Sequence, residues 1–326
     1  MSSPAFGILW RRCAFLAALL LVAIVISVEL GASGIGLSAL FSGDALQIAV
    51  IRDIRLPRVI LAALVGGGLA MAGATFQTLL RNPLADPFIL GVSGGAASGA
   101  AIAAMLHGAR SGIVVPLAAF GGGTLATALV YLLGRRGRQI DTVRLLLAGL
   151  ILNAFFSAVI LLAFSFSGAT DLVAAMRWMM GTLSGADWRG VALTGVTVAV
   201  TLAALAWIAS DLRLLAFGED DAKAKGVEVE RTKFIAFFAA SLITSAAVAV
   251  GGIIGFVGLL VPHGIRLLWR PDYRALLPLS LLGGGILLVC ADLLARTAVA
   301  PAELPLGAIT ALIGVPFFLL ILRRES

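Results

Sequence analysis

The chain has 326 residues, 60% of them hydrophobic and 13% charged, with a mean hydropathy of +1.08. A water-soluble domain of this size could not cover so much apolar surface, so the solvent around it must be lipid, and the net charge of +7 then reads as membrane topology rather than as a nucleic-acid footprint. A bilayer forces backbone polar groups to pair within helices or closed barrels; the apolar runs are continuous rather than alternating, so the expectation is an all-α membrane protein.

In chain order, apolar runs near twenty residues fall at about 13–30, 59–80, 89–106, 113–134, 143–166, 191–209, 234–250, 253–268, 276–295 and 305–322. They predict about ten transmembrane helices in one membrane domain spanning 1–326, or nine if the short, glycine-rich run at 253–268 does not cross. The first run follows Trp10-Arg11-Arg12, is longer than the apolar core of a signal peptide and lacks a clear small-residue cleavage site; an uncleaved first span is expected. Residues 31–58 and 167–190 are then expected outside and 210–233 inside. On that arrangement seventeen of the 24 basic residues, Arg81, Arg138 and Lys233 among them, lie inside. The other seven, Arg52, Arg55, Arg58, Arg110, Arg177, Arg189 and Arg296, lie outside, which supports N-in and C-in.

Three segments stand out from the spans. Arg81-Asn82-Pro83-Leu84-Ala85-Asp86-Pro87 must break the backbone, because each proline disfavours helix at the residue before it; a plain inside turn and a constriction of a pathway both fit. The inside loop at 217–227 opens with Glu219-Asp220-Asp221 and closes with Lys223 and Lys225, the order a helix dipole favours, with Gly226 placed as a C-terminal cap. This predicts a short cytoplasmic helix, either a solvated connector or a docking element for a cytoplasmic partner. The clusters Gly66-Gly67-Gly68, Gly121-Gly122-Gly123, Gly251-Gly252 and Gly283-Gly284-Gly285 read as close helix packing in lipid.

Ionisable residues at depth are few. Glu29 sits where it can snorkel to the interface, and Asp292 with Arg296 has the spacing of an ion pair on one helix face. His263, after Pro262, reads first as a structural hydrogen-bonder and second as a ligand or proton relay; His107 is far from it in the chain, so no metal site is expected. Cys13 and Cys290 both fall in predicted spans without ligand spacing, and no disulfide is expected. No G-x-x-x-x-G-K-[ST] string occurs, and no nucleophile with a base lies within the spans, so the chain is not read as an enzyme. A secondary transporter driven by an ion gradient is the alternative, weakened because the acidic residues cluster at span ends and in loops.

Several strings, in order along the chain, carry a resemblance. They are Arg55-Leu56-Pro57-Arg58; Gly73 and Gln77; Arg81 to Pro87 with Leu90-Gly91; Trp178-Met179-Met180-Gly181; and Asp187-Trp188-Arg189. Gly255-Phe256-Val257-Gly258-Leu259-Leu260-Val261-Pro262-His263 with Arg266 follows, then Ala291-Asp292, Ala295-Arg296, Glu303-Leu304-Pro305-Leu306-Gly307 and Thr310-Ala311. From about residue 52 to 324 the chain resembles the iron-siderophore, haem and cobalamin permease family. The resemblance implies a cobalamin-permease-like fold of ten spans, working as a homodimer with two cytoplasmic ATP-binding subunits and a substrate-binding protein outside. It implies binding-protein docking at Arg55, Arg58 and Arg296, a cytoplasmic gate at Asn82, Leu84, Thr142 and Val143, and ATPase coupling at Gly218, Glu219, Ala222 and Gly226. Two positions depart from the family: Val143 stands where the cobalamin permease has a small hydroxyl residue, and Gly264 where a bulky apolar residue is common. The strings at 178–181 and 187–189 lean towards cobalamin over iron chelates. No resident cofactor or metal is implied.

Overall fold

The computed structural model describes residues 3–31, 36–38, 44–108, 112–137 and 139–325, and their side chains except at 3–6, 318 and 320–325. The sides assigned above to Arg110 and Arg138 lie outside the described residues. The chain is helical nearly throughout: α1 (Ser3–Glu29), α2 (Ala45–Ala49), α3 (Leu56–Leu79), α4 (Val92–His107), α5 (Val114–Gly134), α6 (Thr142–Ser165) and α7 (Ala169–Met179). Then come α8 (Trp188–Trp207), α9 (Ala209–Leu215), α10 (Glu219–Ala224), α11 (Val229–Gly251), α12 (Val257–Trp269), α13 (Tyr273–Thr297) and α14 (Leu306–Glu325). A two-residue hairpin, β1 (Arg135–Arg136) against β2 (Gln139–Ile140), joins α5 to α6.

Among the described residues, seven helical stretches are long and apolar enough to cross a membrane, and three shorter apolar helices accompany them: α4, α12 and the first part of α14. The spine is α3. In its span 83% of the most apolar window is enclosed by protein, against 17% in α1, which presents its apolar side chains outward as a lipid-facing helix must. The spine is rich in glycine and alanine because its neighbours approach it backbone to backbone. A Cβ at Gly66 would run into the Gly284 carbonyl of α13, one at Gly284 into the Gly66 carbonyl, and one at Gly73 into the Gly258 carbonyl of α12. In lipid, where apolar surface gains nothing by leaving its solvent, such close contact and its dispersion energy are what hold helices together.

Helix starts follow their caps. Asp141, Asp187 and Asp272 accept hydrogen bonds from first-turn N–H groups of α6, α8 and α13. The caps start α8 and α13 three residues before the apolar runs that predict them. The stretch 31–58, expected as an outside loop, contributes more: from Ala45 the chain runs through α2 and a π-helical turn, Val50–Arg55, directly into α3. The loop 167–190 likewise holds a helix, α7. Between α11 and α12 the backbone leaves the helix at Gly252 (φ 69°) and re-enters at Phe256 (φ 66°), so α12 starts at Val257 rather than at 253.

Candidate functional site

At the end of the bundle expected outside, the C-terminus of α1, the N-terminus of α3 and the C-terminus of α13 meet, and the three arginines singled out above come together there. Their guanidinium groups turn into the protein: Arg55, Arg58 and Arg296 are only 5%, 8% and 8% exposed. Asp292, fully buried, bridges two of them, with Oδ1 3.0 Å from Arg58 Nη2 and Oδ2 3.0 Å from Arg296 Nε. The i,i+4 pair read from the chain is therefore real, and Arg58 extends it across to α3. Arg58 also meets the Glu303 carboxylate through two parallel hydrogen bonds of 2.7 and 3.1 Å. Arg296 donates to Ser27 O and Oγ at 2.8 and 2.7 Å, and Arg55 donates to Val28 O at 2.7 Å, satisfying carbonyls at the unpaired end of α1. Three cations thus share the Asp292 and Glu303 carboxylates and the C-terminal carbonyls of one helix, and the Glu29 carboxylate acts on Arg55 as a third acidic neighbour.

At the opposite end, α3 stops at Leu79 and residues 80–91 form the break expected of the two prolines. Asn82 Oδ1 accepts from Leu84 N–H at 2.9 Å and Asp86 Oδ1 from Phe88 N–H at 2.8 Å, two Asx turns in succession. Asp86 is buried between the spans, and loss of solvent pushes its carboxyl up to about 6 although the Phe88 N–H opposes the shift. Asn82, Leu84 and Val143 are exposed on the single chain and Thr142 is half-buried, so two of the four expected gate residues present apolar side chains outward. Beside the break lies a cavity of about 390 Å³ lined by Gln77, Thr78, Arg81, Arg213, Arg266 and Asp272, among others. Arg266 donates to Gln77 Oε1, and the Gln77 amide donates to Gly258 O at 3.1 Å, which ties α12 to the foot of α3.

The loop expected inside carries the short helix read from its sequence. Gly218 (φ 146°) leads into α10, and Gly226 (φ 82°) closes it in a Schellman cap, with Val227 N–H donating to Ala222 O at 3.0 Å and Gly226 N–H to Lys223 O at 2.9 Å. Ala222 is fully buried and anchors the helix against the body, while Asp220 and Lys223 face outward. The Glu219 carboxylate is held 2.7 Å from Lys233 Nζ of α11.

Reading by sequence missed Glu303 as the partner of Arg58 and Lys233 as the partner of Glu219. In the first case the two residues are 245 positions apart. In the second, a lysine just inside a span looks like any topology marker; its one signal was Glu230 three residues before it.

The model of the FecCD transport family matches residues 19–324 of the chain. The cobalamin import system permease protein BtuC of Halobacterium salinarum is 46% identical, covering 85% of this chain and 74% of that protein. The iron(3+)-hydroxamate import system permease protein FhuB of Bacillus subtilis is 38% identical, over 94% of this chain and 81% of that protein. A solved structure described as an inward-facing metal-chelate type ABC transporter superposes with a TM-score of 0.87 at 32% identity, covering 96% of this chain and 99% of that one.

Proposed function

The chain belongs to the FecCD transport family, a multi-pass permease of the cytoplasmic membrane, and on that premise we propose that it is the membrane-spanning subunit of an ATP-driven importer for a metal chelate. The chelate is a cobalamin, an iron-siderophore or a haem. The observation that carries this reading is the likeness at nearly full length, in sequence and in fold, to permeases whose names specify cobalamin and ferric hydroxamate import.

Ten spans with both termini inside account for the seven long and three shorter apolar helices, and put α10 on the cytoplasmic side. The working unit is a homodimer with two ATP-binding subunits and one binding protein. The short helix α10, with Gly218, Glu219, Ala222 and Gly226, seats in the ATPase. Residues Asn82, Leu84, Thr142 and Val143 form the cytoplasmic gate against the second copy, a role supported by the exposed Leu84 and Val143 side chains. The cluster of Arg55, Arg58 and Arg296 receives acidic residues of the binding protein. The Glu303 side chain, 42% exposed across Arg58, is the group that an incoming carboxylate would replace. Transport is mechanical: ATP turnover in the partner moves α10, and the dimer alternates between outside-open and inside-open states.

An ion-driven carrier is the less favoured reading, because the chain superposes at nearly full length on an ABC transporter and its fully buried Asp292 is committed to two arginines. The test is purification. The chain alone hydrolyses no ATP, and with its ATPase it forms a complex that hydrolyses ATP faster when the binding protein, loaded with cyanocobalamin, a ferric hydroxamate or haemin, is added. ATP hydrolysis by the isolated chain, or failure to retain any ATPase, would overturn the reading.

A further inference from the structure

We propose that Lys233 makes the cytoplasmic helix α10 and the foot of α6 move as one body, a positioning role that rests on the importer reading above. Lys233 lies in the second turn of α11 and is 1% exposed, a place where a lysine persists only if its charge is fully met. It is met by two close partners and one longer ionic contact. Nζ donates to Ile140 O at 2.8 Å, sits 2.7 Å from Glu219 Oε1 and lies 3.6 Å from Glu230 Oε1. The second oxygen of Glu230 accepts from Ile140 N–H at 2.6 Å, so both backbone groups of Ile140 are gripped by α11.

Each partner belongs to a different moving part. Glu219 is the first residue of α10. Ile140 ends the hairpin, and the next residue, Asp141, caps α6 by accepting from the N–H groups of Val143 and Arg144 at 2.9 and 3.1 Å. A push on α10 therefore has a path to the first turn of α6, where Thr142 and Val143 stand, through Glu219, Lys233, Ile140 and Asp141. The alternative route is loose. The six-residue α10 is flanked by Gly218 and Gly226, both at positive φ, and the one side chain it buries is the small Ala222. Without the ammonium, α10 would swing on those two glycines, and Glu219 and Glu230 would be left as like charges facing each other. A cavity of about 240 Å³ lined by Arg136, Gln139, Asp141 and Glu219 adjoins the junction and leaves room for that swing.

The experiment uses the full complex in a background with Cys13 and Cys290 replaced by serine, spin labels on exposed positions 220 and 136, and the distance between them read with and without ATP. In the wild-type complex one narrow distance should persist through the ATP cycle. In Lys233→Met it should broaden or split, with the ATPase still bound and still hydrolysing, and the chelate carried per ATP should fall roughly 10-fold, within the range for loss of one coupling between sites. Lys233→Arg should restore the narrow distance. Glu219→Gln, which leaves the Ile140 contact in place, should broaden it less and serves if Lys233→Met does not fold. A narrow distance that is the same in Lys233→Met, or labels that separate in the wild type on ATP binding, would overturn the proposal. Absence of ATP-driven transport by the wild-type complex would instead overturn the importer reading, and the distance would still judge Lys233.

Discussion

Replacing Asp292 by asparagine keeps its shape and removes its charge, which isolates what the carboxylate does for the two arginines it bridges. Asp292 is fully buried and lies 3.0 Å from both Arg58 and Arg296. Removing one partner of a buried ion pair costs about 3–5 kcal/mol, because the remaining charge has lost its solvent and gains nothing in return. Ser27 and the carbonyls of α1 still serve Arg296, and Glu303 still serves Arg58, so the expected loss is at the lower end, about 3 kcal/mol. At the entropy typical of a chain this long, that corresponds to a fall in Tm of about 4 °C. Glu303→Gln is the matched control: that carboxylate is 42% exposed, and its loss should cost no more than about 1 kcal/mol. Thermal unfolding of both variants in the same detergent reads the difference directly. Equal stability of Asp292→Asn and Glu303→Gln would refute the argument that the buried carboxylate organises this corner.

Gly66→Ala should destabilise the chain by about 2 kcal/mol or more, since its Cβ meets the Gly284 carbonyl, while Gly121→Ala, with nothing within 4 Å, should gain roughly 0.5–1 kcal/mol; denaturant titration of the pair checks both. Asp86 carries a raised folded pKa, so it favours the native state while protonated, and that contribution is lost as pH rises from about 4 through about 6. Asp86→Asn, which keeps the acceptor for Phe88 N–H, should match the wild type near pH 4 and be the more stable by up to ~3 kcal/mol at pH 7.5; unfolding measured across that window tests the sign. Gly226→Val forces a β-branched residue to φ 82° at the Schellman cap, so α10 should fray and ATPase co-purification should weaken while thermal stability changes by only about 1–2 kcal/mol.

What could be read from the chain was what is local. The break at Asn82 and Asp86 follows from two prolines, the cap at Gly226 from a charged run ending in glycine, and the Asp292–Arg296 pair from a spacing of four. Pairings between distant segments left no such trace: nothing near Arg58 points to Asp292, 234 positions on, and nothing near Lys233 points to Ile140. Hydropathy also hid backbone events within apolar sequence. The non-helical stretch from Gly252 to Phe256 contains Ile253 and Ile254, which score like any membrane helix although two residues there adopt positive φ. The same blindness concealed the entry of the 45–55 segment into α3, whose arginines and aspartate suggest a loop but whose backbone is helical. For Arg55, Arg58 and Arg296, charge and motif grouped three residues that the fold does bring together, whereas their inward direction depends on the α1 carbonyls and Asp292 that receive them.

A permease driven by ATP hydrolysed in a partner and carrying a metal chelate is tested most directly by reconstituted transport. The chain is reconstituted into liposomes with its ATPase and binding protein, and uptake of radiolabelled cyanocobalamin, a ferric hydroxamate and haemin is followed with ATP supplied on the face that bears α10. Uptake of at least one of the three should require ATP, stop with a non-hydrolysable analogue, and not be supported by a proton or sodium gradient alone. Uptake driven by a gradient in ATP-free vesicles, or ATP-driven uptake confined to a hydrated ion or a sugar, would contradict the importer reading.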